Sequence, residues 1–242
     1  VFQVPVYEIS EGTRVAKGRG LLNFLEITPQ DKVLSLFAAG KKDTEQGMKY
    51  LFMVTKDGIA KKTEIDAFKN VRRSGLIAIS LKKGDALRAV RKTTGEDEIL
   101  VVTKKGQSIR FKEKDVRSMG RGAAGIHAMR LKKGDEVVGV DVVPGSSTSL
   151  RINKQIKGPQ VREEYLLVVM ANGYGKRTAV KEYRIQTRGG SGVKTANVTP
   201  KTGEVVYAKV LCGQEEDLMV ISRKGQVIRT PIDSIAKISR GT

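Results

Sequence analysis

The chain repeats itself, and the repeat limits its possible folds more tightly than any single motif does. Four stretches share one pattern: an apolar run, a polar step ending in glycine, then a shorter run carrying cations. They are Tyr50–Gly58 (Tyr-Leu-Phe-Met-Val-Thr-Lys-Asp-Gly), Glu98–Gly106 (Glu-Ile-Leu-Val-Val-Thr-Lys-Lys-Gly), Tyr165–Gly173 (Tyr-Leu-Leu-Val-Val-Met-Ala-Asn-Gly) and Asp217–Gly225 (Asp-Leu-Met-Val-Ile-Ser-Arg-Lys-Gly). A period of roughly fifty residues marks a supersecondary unit that cannot bury its apolar surface alone and must stack on its neighbours. Short runs rich in Val, Ile and Leu, closed by Asp-Gly or Asn-Gly, read as strand pairs. Such dipeptides favour type I′ turns, in which both central residues need positive φ.

The register persists beyond the hairpin. Similar segments at Leu76–Leu81, Ile126–Leu131 and Val193–Val198 are expected to be closing strands. After the first two, a Lys-Lys-Gly-Asp turn leads into further apolar strands at Ala86–Val90 and Glu136–Val143. The opening residues repeat the second half of this unit, with Gln3 where the other repeats have a cation and Lys17 in line with Arg121 and Arg188. The expected organisation is a single domain of five segments: 1–49 (partial), 50–97, 98–163, 164–216 and 217–242 (partial). A polar insertion, 144–162, carries Arg151, Lys154, Lys157 and Arg162. Units of about 45–52 residues, each a four-stranded antiparallel sheet, suit an all-β propeller-like fold; spacing alone does not separate a closed ring from an open solenoid.

Charge narrows the partner. Lys and Arg number 45 against 26 Asp and Glu, a formal net charge of +19. Such an excess destabilises a compact state unless a polyanion offsets it. A membrane surface fits poorly, because no apolar run approaches the ~20 residues of a span and no long amphipathic stretch carries the cations. Val1–Ser10 lacks the pattern of a secretory signal. The single cysteine, Cys212, leaves no internal disulfide, which suits a reducing compartment; after the apolar run Val205–Leu211 it reads as a buried strand-end residue.

The cations keep register too. Four residues after each hairpin glycine stand Lys62, Arg110, Arg177 and Arg229; fifteen after it stand Arg73, Arg121, Arg188 and Arg240. On stacked units these would form two positive stripes, broadened by Lys61, Arg72, Arg117, Lys176 and Arg184, with Lys17 and Arg19 at the corresponding place in the first segment. Nothing resembles a recognition helix, and aromatics, 5% of residues, are not interleaved with the cations for stacking on single strands. Phosphate contact on duplex DNA remains, which positions without specifying. Bending 20–30 bp by 40–90° costs roughly 1–6 kcal/mol. Releasing counterions at roughly 6–10 phosphates is of comparable scale.

Catalytic readings fail. His127 sits in a presumed strand without a nucleophile partner. Gly120–Gly125 (Gly-Arg-Gly-Ala-Ala-Gly) matches a dinucleotide glycine pattern but has no βαβ context. Asn172–Thr178 lacks the first glycine of a phosphate loop, where Met170 stands. No Cys/His cluster has metal spacing. The expectation is no catalytic residue, no metal and no cofactor.

Asp115–Gly125, Lys132–Gly139, Asn172–Thr178 and Tyr183–Gly192 resemble the C-terminal domain family of gyrase A, a likeness that runs over essentially the whole chain. The resemblance implies a six-bladed β-pinwheel whose basic rim wraps DNA and supports negative supercoiling by an ATP-dependent type II topoisomerase. It also implies partnership with the rest of gyrase A and with gyrase B in an A2B2 enzyme, and a bacterial cytoplasmic, nucleoid-associated location. Aligned on that family, the chain begins inside the second repeat and stops inside the sixth. The family's Gln-basic-Arg-Gly-Gly-basic-Gly box belongs to the first repeat. Gln186, Arg188, Gly189, Gly190 and Gly192 echo it, with Thr187 and Ser191 at the basic positions. The alternatives are the related domain of topoisomerase IV, in which the box is absent or degraded, and a propeller that scaffolds protein partners and uses its charge only for solubility.

Overall fold

The computed structural model describes residues 1–13, 16–38, 40, 47–144, 163–213, 217–222 and 224–241. Of the insertion only Pro144 falls among them; Arg151, Lys154, Lys157 and Arg162 lie outside the described residues.

Each repeat opens with the expected hairpin: β1 (Tyr50–Thr55) with β2 (Ile59–Glu64), β4 (Glu98–Thr103) with β5 (Gln107–Lys112), β8 (Tyr165–Met170) with β9 (Gly175–Ala179), and β12 (Asp217–Ile221) with β13 (Val227–Pro231). The turns are not type I′. Among the described residues no residue other than glycine has positive φ. In all four turns the glycine N–H donates to the carbonyl three residues back: Gly58 to Thr55, Gly106 to Thr103, Gly173 to Met170 and Gly225 to Ser222. In the first three this is a type I turn followed by a left-handed glycine, a three-residue connection that keeps Asp57 and Asn172 in ordinary conformations. A short 3-10 turn follows each second strand, at Ile65–Phe68, Glu113–Asp115, Val180–Glu182 and Ile232–Ser234, with its counterpart at Val6–Glu8.

The later segments behave differently. β3 (Leu87–Thr93), β7 (Val137–Val143) and β11 (Val205–Leu211) pair with the opening strand of their own repeat. The expected closing strands shrink to β6 (Ile126–His127) and β10 (Val193–Lys194), and 76–81 forms no strand. Each of the two joins the sheet of the preceding repeat, giving the orders β3-β1-β2-β6 and β10-β5-β4-β7, both antiparallel. Only two residues stay in register because the next amides turn onto the hairpin tip. The Ala128 and Met129 N–H groups both donate to Gly58 O, and those of Thr195 and Ala196 to Gly106 O. Leu76 exchanges both backbone bonds with Val1, the same exchange one repeat earlier.

Gly125 and Gly192 permit the exchange. Both have positive φ; a Cβ on Gly125 would lie 2.6 Å from Ala60 O, and one on Gly192 would lie closer still to Ser108 O.

The sheets stack face to face, so both faces of each middle sheet are buried. Phe52 and Val54 pack against Ile99 and Val101, while Leu100 and Val102 point the other way onto Leu166 and Val168. Leu167 then meets the last sheet near Ile232. Strands buried on both faces carry continuous apolar runs rather than alternation. The inner strands are tied by Asp141 on β7, which accepts from Arg91 Nε of β3 (3.1 Å) and from the Val210 N–H of β11 (2.9 Å).

Candidate nucleic-acid interface

The two expected stripes have different fates. The row four residues after the glycine faces inward wherever a following repeat covers it. Lys62 is 5% exposed, 3.6 Å from Glu113 Oε1 of the next repeat and stacked over the Tyr50 ring. Arg110 pairs with Glu98 Oε2 and donates through Nη1 to the Val180 and Tyr183 carbonyls. Arg177 is 4% exposed, donates to Asp233 Oδ1, Asp233 O and Ile235 O, and lies over the Tyr165 ring. These three side chains tie one repeat to the next and cannot form a surface stripe. Arg229 alone in this row is exposed, paired with Asp217 of its own hairpin. Lys61 and Lys176 do not broaden the surface field either; both are buried.

The row fifteen residues after the glycine lies on the outer edge, in the segment between the 3-10 turn and the exchanged strand. Arg73 and Arg121 are exposed there, as are Arg72, Arg117, Arg184, Lys17 and Arg19. Arg188 and Arg240 are half-buried. Arg188 donates to Asp115 O (2.8 Å) and His127 O (3.3 Å), and Arg240 Nη1 donates to Lys194 O (2.8 Å). His127 and Lys194 occupy equivalent exchanged strands, so the two arginines make one bond in successive repeats. His127 is exposed in β6, and Cys212, just past β11, packs half-buried against the core.

The box-like loop is held by backbone bonds: the Gln186 N–H to Arg110 O, the Gly189 N–H to Ala128 O, and the Arg130 N–H to Gly190 O. Gly190 sits over buried Ile109. The Gln186 side-chain nitrogen is buried and has no hydrogen-bond partner among the described residues.

A group of cations that sequence reasoning did not single out lies at the hairpin tips. Lys82, Lys83, Lys132 and Lys133 are exposed in the Lys-Lys-Gly-Asp turns. The turn aspartates point inward, with Asp85 accepting from the Asp57 N–H and Asp135 from the Lys105 N–H. The signal was available: a repeated dipeptide of lysines beside a glycine.

Among the described residues no group of three or more His, Cys, Asp or Glu could hold a metal ion, and no helix is long and apolar enough to cross a membrane.

The family model described as "DNA gyrase C-terminal domain, beta-propeller" matches residues 1–39, 49–94, 97–144, 164–212 and 216–242. DNA gyrase A of Staphylococcus epidermidis is 39% identical over 240 residues, and that of Staphylococcus aureus 37%. In both cases the match covers 99% of this chain but 25% of the relative, so the chain spans about a quarter of their length. Among solved structures, a DNA topoisomerase IV C-terminal domain aligns with a TM-score of 0.77 and a DNA gyrase A C-terminal domain with 0.72, each at 24% identity. They cover 93% and 98% of this chain and 64% and 70% of their own. At that identity they support the fold alone.

Proposed function

The chain belongs to the DNA gyrase C-terminal domain family, and from that premise we propose that its outer edge binds duplex DNA without sequence preference and curves it, as the wrapping module of a type II topoisomerase. One observation carries the reading: the same outer-edge segment brings an arginine followed by glycine to successive junctions, as Arg121-Gly122, Arg188-Gly189 and Arg240-Gly241. Side chains at one register on stacked sheets line up, and cations in a row suit the evenly spaced phosphates of a duplex. Arg73 extends the row by one repeat, and Arg72, Arg117, Arg184, Lys17 and Arg19 flank it. The net charge of +19 supplies the long-range attraction.

The wrap would support negative supercoiling by a holoenzyme containing the rest of gyrase A together with gyrase B, in the bacterial cytoplasm. No residue here performs chemistry in that account, and the domain needs no cofactor of its own. The box-like loop serves as one contact among several, because Thr187 and Ser191 bring no charge and Arg188 already donates to two carbonyls. Titrating unrelated duplexes of equal length at several salt concentrations tests the reading. Affinity should fall steeply with salt and alike for all sequences; a flat response would favour a protein-binding scaffold.

A further inference from the structure

We propose that Lys61 and Lys176 build two phosphate sites on the outer edge, at Arg121-Gly122 and Arg240-Gly241, by turning one peptide unit so that its N–H faces outward. The proposal rests on the DNA-edge reading above and adds to it the atoms that would meet the phosphate.

Lys61 and Lys176 hold the same place, three residues after the hairpin glycine on the second strand. Lys61 is 0% exposed, and its ammonium donates to Ala78 O (2.7 Å) and to Arg121 O of the next repeat. Lys176, also buried, donates to Ser239 O (2.8 Å) and Arg240 O (3.0 Å). Each amine thus crosses a repeat junction and grips the carbonyl of an outer-edge arginine. Burial lowers the pKa of both amines from the ordinary lysine value. Isoleucine fills this position in the intervening repeat, where Ile109 is fully buried. Stacking therefore does not require lysine here, and a buried ammonium is costly to keep.

Peptide planarity says what the lysine adds. In a trans peptide the C=O and the following N–H point in opposite directions. Drawing Arg121 O inward directs the Gly122 N–H outward, and drawing Arg240 O inward does the same for Gly241. Gly122 and Gly241 are exposed, and neither N–H has an acceptor among the described residues. The repeat with isoleucine is the opposite case: the equivalent N–H, that of Gly189, points inward and donates to Ala128 O (2.7 Å). Lysine beneath the loop therefore goes with an outward amide, and isoleucine with an inward one. An outward N–H beside a guanidinium makes a two-donor anion site; the guanidinium of Arg121 is exposed, whereas that of Arg240 is half-buried and already donates to Lys194 O. The Arg121 site is the stronger of the two. At Arg240, Glu182 Oε2 accepts the backbone N–H and brings a negative charge close.

The test is amide NMR of the whole chain during titration with a short mixed-sequence duplex, alongside Lys61→Met, Arg121→Ala and the double variant. The Gly122 resonance should move with saturation while that of Gly189 does not. Lys61→Met should weaken binding about threefold to tenfold, the scale of one net hydrogen bond. It should weaken binding no further in an Arg121→Ala background, since both act at one site. A stationary Gly122 resonance while the duplex binds elsewhere on the edge, or additive losses, would overturn this proposal and leave the DNA-edge reading intact. No duplex binding at all would overturn that reading instead. Should Lys61→Met fail to fold, the resonance shifts of the unaltered chain decide alone.

Discussion

Lys62 and Glu113 face each other across the junction between the 50–97 and 98–163 repeats, both nearly excluded from solvent. Glu113 is 0% exposed and also accepts from Thr93 Oγ1 (2.7 Å) and the Gly95 N–H (2.9 Å). Removing one member of a buried pair leaves the other uncompensated. Lys62→Met is thus expected to cost about 3–5 kcal/mol in denaturant unfolding. Burial lifts the Glu113 carboxyl above the ordinary glutamate value, against the pull of Thr93, Lys62 and Gly95. The folded state therefore keeps this proton at pH values where the unfolded chain has lost it. Stability should fall as pH rises from the ordinary glutamate value to the raised one, and Glu113→Gln should flatten that portion of the curve. An unchanged profile in the variant would assign the slope to other groups. Arg177 and Arg73 separate the two rows of cations just as sharply. Arg177→Ala removes three cross-junction bonds and should lower the melting temperature, whereas Arg73→Ala, fully on the surface, should leave it within a degree or two and weaken DNA binding instead. Equal melting temperatures for the two variants would contradict the division of roles.

A strand of two residues can hold a sheet edge only if its backbone comes close enough, and here glycine sets that distance. Gly192→Ala would place a methyl against Ser108 O and force a left-handed φ of 75° on alanine. The backbone term alone is about 1–3 kcal/mol. The expected result is loss of the β10–β5 pairing, read as faster amide exchange at Val193 and Thr195, with β8 and β9 unaffected; unchanged protection there would mean that the exchanged strand is not held by this approach. The hairpins were legible because apolar runs and glycine turns are local signals, and the four opening strands lie where the repeats put them. The turn type was not, because Lys56-Asp57-Gly58 serves a type I turn with a left-handed glycine as well as it serves type I′. Strand exchange was illegible for a different reason. Ile126 and Val193 have the composition of an edge strand, but nothing local says whose edge they join. The cation rows show the same limit: Lys62 and Arg121 are equally periodic, and burial depends on which one the next repeat covers.

At the scale of the whole molecule, net charge and its arrangement give different expectations for the proposed DNA binding. A charge of +19 would attract any polyanion, and attraction alone would count every surface cation alike. A wrapped duplex instead touches one edge, so only cations in its path release counterions. The outer edge offers Arg73, Arg121, Arg188 and Arg240 in register, while Lys83, Lys132 and Lys133 belong to the Lys-Lys-Gly-Asp turns, outside that segment. Replacing Arg73, Arg121 and Arg188 with alanine removes the same formal charge as replacing those three lysines. If the edge carries the duplex, the arginine triple should make the slope of log affinity against log salt shallower by about 2.7, at about 0.9 per phosphate, and the lysine triple should change it far less. A ligation-closure assay on the same proteins separates bending from binding, since curvature costs roughly 1–6 kcal/mol that only aligned contacts can offset. The arginine triple should lose closure enhancement before it loses affinity. Equal slopes and equal closure for the two triples would mean that the domain binds DNA as a diffuse cation and does not guide its path.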